Sequence, residues 1–323
     1  MTDLLPVSVE QPTTDIALTD LEDEARGYIS ASRARNTARA YASDWRAFAA
    51  WCEAHGVNAL PAEPTTVVLY LTDLARTAKT ATVRRRLSSI SVAHQAAGLA
   101  TPTADILVRS TWTGIRRTNG TAQTGKTALL TDDIRSMVMT LPVTLLGRRD
   151  ACLILLGFSS AMRRSELVAL DVADVTETND GLIATVRRSK TDQEGEGREI
   201  GIPYGSNPTT CPVRSLHAWL ERSEIENGPL FRPVNRHGRL GKERLSDRAV
   251  AMIVKRSAQA AGLDPNLVAG HSLRSGMATS AARAGATETE IMNQTGHRSL
   301  PVLRRYIRRG SLFSDNAAAK LGL

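Results

Sequence analysis

A chain of 323 residues, 42% of them hydrophobic, is long enough for two domains with substantial cores. Its 41 lysines and arginines against 33 acids leave a net charge of +8 and a pI near 9.8, which favours an anionic partner. Three widely spaced cysteines (Cys52, Cys152, Cys211) read as thiols in a reducing compartment rather than a zinc site, the longest apolar run (Cys152 to Phe158) is too short for a bilayer, and the acidic, polar start has no signal-peptide pattern.

Residues 1–24 carry prolines, threonines and acids without a period and read as a disordered lead-in. From Asn36, Tyr41, Trp45, Phe48 and Cys52 recur three or four apart, a helix that Gly56 ends. Beyond Pro61 and Pro64, a second helix turns Val68, Leu71 and Leu74 inward. A third, capped by Thr80, does the same with Val83, Leu87 and Ile90 until Gly98. Thr101-Pro102 opens a fourth, holding Ile106, Trp112 and Ile115, so 25–117 is expected to be a four-helix domain. Arg84, Arg85 and Arg86 interrupt the third helix and in isolation read as a solvated face.

Residues 118–129 are small, polar and glycine-bearing, and predict a flexible linker. Thr131 then caps a helix with Ile134, Met137 and Val138 inward, and another runs from about Arg148 to Phe158. GLIATVRRSK and REIGIPYG alternate β-branched with polar residues around TDQEGEG, predicting two strands. A helix capped by Ser246 faces Val250, Ile253 and Val254 inward, and another follows His271. Thr287 and Glu290 have capping-box spacing for a short helix ending at Gly296, and Ser299 before Pro301 opens the helix that carries Tyr306. The last residues, 311–323, predict a short tail helix starting at Ser314 or Asp315.

The stretch Gly270–Tyr306 contains GHSLRSG and TGHRSLPVLRRY: a His-x-x-Arg pair (His271, Arg274), a Gly-His pair (Gly296, His297) and a tyrosine nine residues on. It resembles the C-terminal active-site box of the tyrosine recombinases, the phage-integrase family, with Cre- or Xer-like members matching closely over about 25–320. SSAMRRSELVAL resembles the family's small–Gly–Leu–Arg–x–Ser–Glu–Leu pattern, with Ala161 for the usual glycine and Met162 for leucine. The match puts Arg163 at the first catalytic arginine and Glu166 in support, and Lys190, after the first predicted strand, at the family's hairpin lysine.

These residue types suit attack on a phosphodiester. Guanidinium groups match the non-bridging oxygens bidentately and stay protonated, so Arg163 and Arg274 would clamp the transition state. His271 would bind the phosphate or manage the tyrosine proton, and His297 would donate a further hydrogen bond. Tyr306, a phenol with an ordinary pKa near 10, needs nearby charge or a base to act as nucleophile. Lys190 would protonate the leaving 5′ oxygen.

The resemblance implies a mainly α fold with a small β-sheet. An N-terminal SAM-like core-binding domain and a catalytic domain over 130–310 would form a C-shaped clamp, with no further domain ahead of the four-helix unit. It implies a site-specific DNA recombinase working by transesterification, without metal, ATP or other cofactor. Its partners would be double-stranded DNA with inverted-repeat sites and a homotetramer, with or without a second recombinase; no membrane is involved, and the location is cytoplasmic and nucleoid-associated. On such a protein Arg84, Arg85, Arg86, Arg116 and Arg117 become candidate DNA contacts. A type IB topoisomerase and a catalytically silent DNA-binding protein are the alternatives.

Overall fold

The computed structural model describes residues 21, 24, 28, 35–121, 125–189, 192, 196–297, 299–310 and 321, with backbone only at 35, 302, 305 and 308–310. The expected tail helix, most of the expected lead-in and Lys190 therefore lie outside the described residues. The chain forms two compact units, Met1–Gln123 and Thr124–Leu323. Both are built largely of helices, and the second also carries a small sheet, as expected. Among the described residues, no helix is long and apolar enough to cross a membrane.

The first unit contains α1 (Arg35–Ala54), α2 (Pro64–Ala75), α3 (Thr80–Ala96) and α4 (Ile106–Asn119). Phe48 and Cys52 from α1, Val67, Tyr70, Leu71 and Leu74 from α2, Val83 and Ile90 from α3, and Val108 from α4 form its core. The 3.6-residue period brings these side chains onto one stripe of each helix, and burying those stripes holds helices that would be marginal alone. Three local expectations need correction. Thr80 is the first residue of α3 rather than its cap, and its hydroxyl donates to the Gly120 carbonyl at 2.6 Å. Thr101-Pro102 opens only a short 3₁₀ turn; α4 itself starts after Asp105, whose carboxylate accepts from the Leu107 amide at 2.7 Å. That start rotates Ile106 outward, leaving it 64% exposed, while Val108 takes the core position.

The second unit is organised around α6 (Leu145–Ser159), in which Cys152 to Gly157 are all buried. A helix apolar on every side must be enclosed by neighbours. Packed against it are α5 (Thr131–Met139), α7 (Arg164–Ala169), α8 (Pro212–Ser223), α9 (Asp247–Ala260) and α10 (His271–Arg283), and the sheet, α11 (Glu288–Thr295) and α12 (Leu300–Gly310) complete the unit. At Gly157 an added Cβ would lie 2.9 Å from a Leu167 methyl and 3.0 Å from a Leu273 methyl. The bare backbone thus lets α7 and α10 pack against the same turn of α6, and these are the elements that carry Glu166 and Arg274.

The sheet has three antiparallel strands in the order β1–β2–β3: Val175–Thr178, Gly181–Val186 and Arg198–Pro203. Ala184 pairs with both Val175 and Ile200, and Leu182 with Ile202. Leu182, Ala184, Val186, Ile200 and Ile202 face the core, so the alternation that predicted β2 and β3 holds. The strand β1 and the helix α8 were not foreseen. In α8 the signal was present: Pro212 at the first position, then Val213, Leu216 and Trp219 at three-residue spacing, all buried.

The predicted flexible linker is also corrected in its second half. The Thr127 amide donates to the Leu267 carbonyl at 2.7 Å, the Leu129 amide to the Ser272 carbonyl at 3.2 Å, and Leu129 is 1% exposed. Residues 127–129 are therefore a strap laid across the start of α10. Leu130, not Thr131, is the N-cap of α5; its amide donates to the Asp133 carboxylate at 2.8 Å.

Candidate active site

Arg163 stands at the N-cap of α7, and Glu166 in the first turn accepts twice from it: from the backbone amide at 3.0 Å and from Nη1 at 2.5 Å. The carboxylate satisfies an orphan helix-start donor and fixes a guanidinium at once. Its side chain is only 2% exposed, which shields the pair from water. The neighbouring Arg164 pairs instead with Asp247 of α9 at 3.2 Å.

Immediately before this motif, Ala161 adopts φ of +51° and is fully buried. A side-chain-bearing residue in left-handed backbone costs about 1–2 kcal/mol, which gives the usual glycine a physical reason. The turn aims the Ala161 carbonyl at Arg274, whose Nη1 donates to it at 2.6 Å. Arg274 itself, one turn into α10, is 1% exposed. Burial first, then the positive charge of Arg163, lowers its pKa to about 10, so it remains charged at neutral pH.

His297 follows Gly296, which ends α11 with φ of +63° and ψ of +37°, a conformation that glycine adopts without Cβ strain. The turn delivers the imidazole to Arg274, with Nη2 to Nε2 at 3.4 Å, and to the Thr295 hydroxyl, with Nδ1 to Oγ1 at 2.7 Å. Burial, then Arg274 and Arg163, hold His297 down at about 4, so the ring is neutral near pH 7. His271 at the start of α10 is shifted the same way by desolvation and then by Arg274, Arg163 and Arg164.

Tyr306 rides on α12, which packs on α10 and α11 through Leu303, Ala278 and Ile291. Its hydroxyl lies 3.0 Å from His271 Nε2, and its ring centroid is 5.9 Å from that of His297. Five of the expected site residues therefore converge with Glu166 around one locus: Arg163, His271, Arg274, His297 and Tyr306. Lys190 is outside the described residues; its described flanks, Ser189 and Asp192, bond to each other's backbone at 3.2 and 3.4 Å.

Sequence reasoning missed Arg198. It opens β3 on the same face as Ile200 and Ile202, a position the strand's two-residue period makes legible. Its Nη2 reaches Glu166 at 3.5 Å and its Nη1 the Gln294 carbonyl at 3.3 Å, and a Cβ on Gly296 would lie 2.9 Å from its guanidinium carbon. Burial lowers its pKa, and the Glu166 charge opposes that shift. The locus thus holds three guanidinium groups against one carboxylate with two neutral imidazoles, an arrangement that attracts an anion.

In the first unit the expected DNA contacts divide. Arg85 Nη1 bonds Asp44 at 2.5 Å, and Arg86 lies 3.7 Å from Asp44 and bonds the Tyr70 hydroxyl at 2.7 Å. Asp44 is 4% exposed, so these two arginines neutralise a buried carboxylate. Arg84, Arg116 and Arg117 are exposed, with Arg116 5.9 Å over the Trp112 ring.

Residues 128–311 match the model of the phage integrase family, and residues 27–99 match that of the phage integrase N-terminal SAM-like domain. The chain is 45% identical over 302 residues to an integrase/recombinase XerD homologue of Selenomonas ruminantium, covering 92% of this chain and 89% of that protein. It is 26% identical over 325 residues to the recombinase Cre of Escherichia phage P1, covering 94% and 92%. Among solved structures, the XerH site-specific recombinase bound to a palindromic difH substrate, a post-cleavage complex, superimposes with a TM-score of 0.62 at 18% identity, over 81% of this chain and 73% of that one.

Proposed function

Because this chain belongs to the phage integrase family of tyrosine recombinases, enzymes that cleave and rejoin DNA strands, we propose that it recombines specific DNA sites through a 3′-phosphotyrosyl intermediate on Tyr306. The observation that carries this reading is the Tyr306 hydroxyl 3.0 Å from a histidine held neutral, beside three buried or half-buried arginines.

In the proposed reaction a scissile phosphate sits against Arg163 and Arg274, which neutralise charge growing on its non-bridging oxygens. Fixed guanidinium groups in a poorly solvated site need no reorganisation at the moment of reaction. Tyr306 attacks phosphorus while neutral His271 accepts the phenolic proton through Nε2. The P–O5′ bond breaks, and Lys190 delivers a proton to the leaving oxygen, giving a phosphotyrosyl ester and a free 5′ hydroxyl. Attack by the 5′ hydroxyl of a second strand reverses these steps. One phosphoester replaces another, so the exchange calls for no nucleotide hydrolysis, and the arginines fill the charge-neutralising role that a metal plays elsewhere. Glu166 fixes Arg163 and Arg198. The working assembly on this reading is a homotetramer on two inverted-repeat sites, with Arg84, Arg116 and Arg117 among the contacts to DNA phosphates.

The test is capture of the covalent intermediate. Wild-type protein and Tyr306→Phe are incubated with total DNA of the source organism and denatured in SDS, and protein-linked DNA is recovered. Wild type is expected to give nuclease-sensitive adducts mapping to Tyr306, and the variant none. Adducts that persist in Tyr306→Phe would sink the assignment of the nucleophile.

A further inference from the structure

Four groups form a directed chain leading away from the reacting centre. A guanidinium only donates, so the 3.4 Å contact between Arg274 Nη2 and His297 Nε2 requires a bare, accepting Nε2. The neutral ring must then carry its proton on Nδ1, which faces the Thr295 hydroxyl at 2.7 Å. Thr295 Oγ1 in turn donates to the Ile291 carbonyl at 2.6 Å, one turn back along α11. The Met292 carbonyl, 3.4 Å away, is a second and longer acceptor for the same hydroxyl hydrogen, and only one ring tautomer satisfies the whole series. Thr295 is completely buried, so water cannot take over its role.

A bare Nε2 is the wrong form for donating to a phosphate oxygen. To donate, Nε2 must gain a proton. The neutral ring then needs Nδ1 to accept, whereas the imidazolium keeps a donor on Nδ1. A hydroxyl serves both cases, since it is donor and acceptor and rotates without moving a heavy atom. Turning its hydrogen from the Ile291 carbonyl to Nδ1 matches the reversed tautomer; leaving it in place matches the imidazolium.

Resting on the recombinase reading, we propose that Thr295 is a positioning residue that sets the protonation form of His297, holding Nδ1–H in the free enzyme and permitting Nε2–H when the phosphate draws Arg274 away. Thr295→Val keeps the shape and removes both functions of the hydroxyl; Thr295→Ser keeps them.

The experiment labels histidine ring nitrogens with ¹⁵N in the full-length protein and reads the tautomer by two-bond correlation near neutral pH, with His297→Asn supplying the assignment. Wild type and Thr295→Ser are expected to show His297 as Nδ1–H, and Thr295→Val a loss of that preference. In parallel, adduct formation on total DNA of the source organism should slow about tenfold in Thr295→Val, the order expected for one lost hydrogen bond, and recover in Thr295→Ser. A wild-type His297 protonated on Nε2 overturns the proposal, as does a Thr295→Val protein that keeps both tautomer and rate. A wild type with the expected tautomer but no adduct on any DNA overturns the recombinase reading and leaves the tautomer assignment standing.

Discussion

The strap over 127–129 makes Gly276→Ala an informative change, because two effects oppose each other there. In the middle of α10, alanine is the better helix former by about 1 kcal/mol. Yet the added Cβ would lie 1.8 Å from the Leu129 carbonyl oxygen and 2.7 Å from its carbon, both main-chain atoms that cannot rotate aside. An ordinary contact needs a retreat of about 1.5 Å, which stretches the 3.2 Å bond from the Leu129 amide to Ser272 beyond hydrogen-bonding range. Overpacking costs about 1–3 kcal/mol and the lost bond about 1 kcal/mol more. Sterics therefore win, with a net loss of about 1–3 kcal/mol. For a unit of this size that lowers the melting temperature by roughly 2–12 °C. Calorimetry measures the shift, and hydrogen exchange should show the Leu129 amide losing protection first. A melting temperature unchanged or raised would refute the reasoning, because propensity alone would then govern the site.

Ala161→Gly relieves left-handed strain but gives up a buried methyl and adds chain entropy to the unfolded state, so stability should stay within about 1 kcal/mol. Ala161→Val should cost at least about 2–3 kcal/mol and also slow adduct formation, since a β-branched residue cannot hold that turn and its carbonyl anchors Arg274; urea denaturation and adduct yield test both. Lys190→Ala should slow cleavage of an ordinary strand yet cleave a 5′-bridging phosphorothiolate at close to the wild-type rate, because a thiolate leaves without an acid; equal defects on both substrates would remove the lysine from the mechanism. His297, held at about 4, is neutral when folded while the unfolded chain takes up a proton near pH 6.5. Stability should therefore fall as pH drops from about 6.5 to 4, by about 1–2 kcal/mol after solvent screening. The stability difference between wild type and His297→Asn should shrink by that amount, and a difference independent of pH would contradict it.

Much of the fold was legible because local chemistry and tertiary packing agree. The Thr287–Glu290 box does cap α11, with the Glu290 amide donating to the Thr287 hydroxyl at 3.3 Å, and Val250, Ile253 and Val254 do face the core. What escaped depends on partners distant in sequence. Residues 127–129 read as a linker because nothing local reveals the Leu267 and Ser272 carbonyls that bind them. β1 carries no apolar alternation: of VTET only Val175 packs against the core, and the strand is held by its ladder to β2 and by Tyr204 and His217 on Glu177. Arg85 and Arg86 read as a solvated run because Asp44, which they neutralise, belongs to another helix. In the site, the spacing of His271, Arg274, His297 and Tyr306 was visible. Arg198 was not, since its place follows from sheet register, and Thr295 was not, since its importance lies in the direction of a hydrogen bond.

The helix of Tyr306, the proposed nucleophile, also differs from the rest of the site in how firmly it is tied down. Arg274 is anchored in a helix enclosed by the unit's main core, whereas Tyr306 belongs to a satellite cluster whose fully buried members are Ala278, Ile291 and Leu303. Detaching α12 would uncover Leu303, Ala278 and Ile291 with the half-buried Tyr306 and Ile307, and break the Arg304–Glu288 ion pair, while leaving the main core closed. An opening confined to this satellite cluster costs less than global unfolding and is visited more often. The cradle of arginines would outlast each such excursion, so the phenol can leave and return to a site that has kept its form.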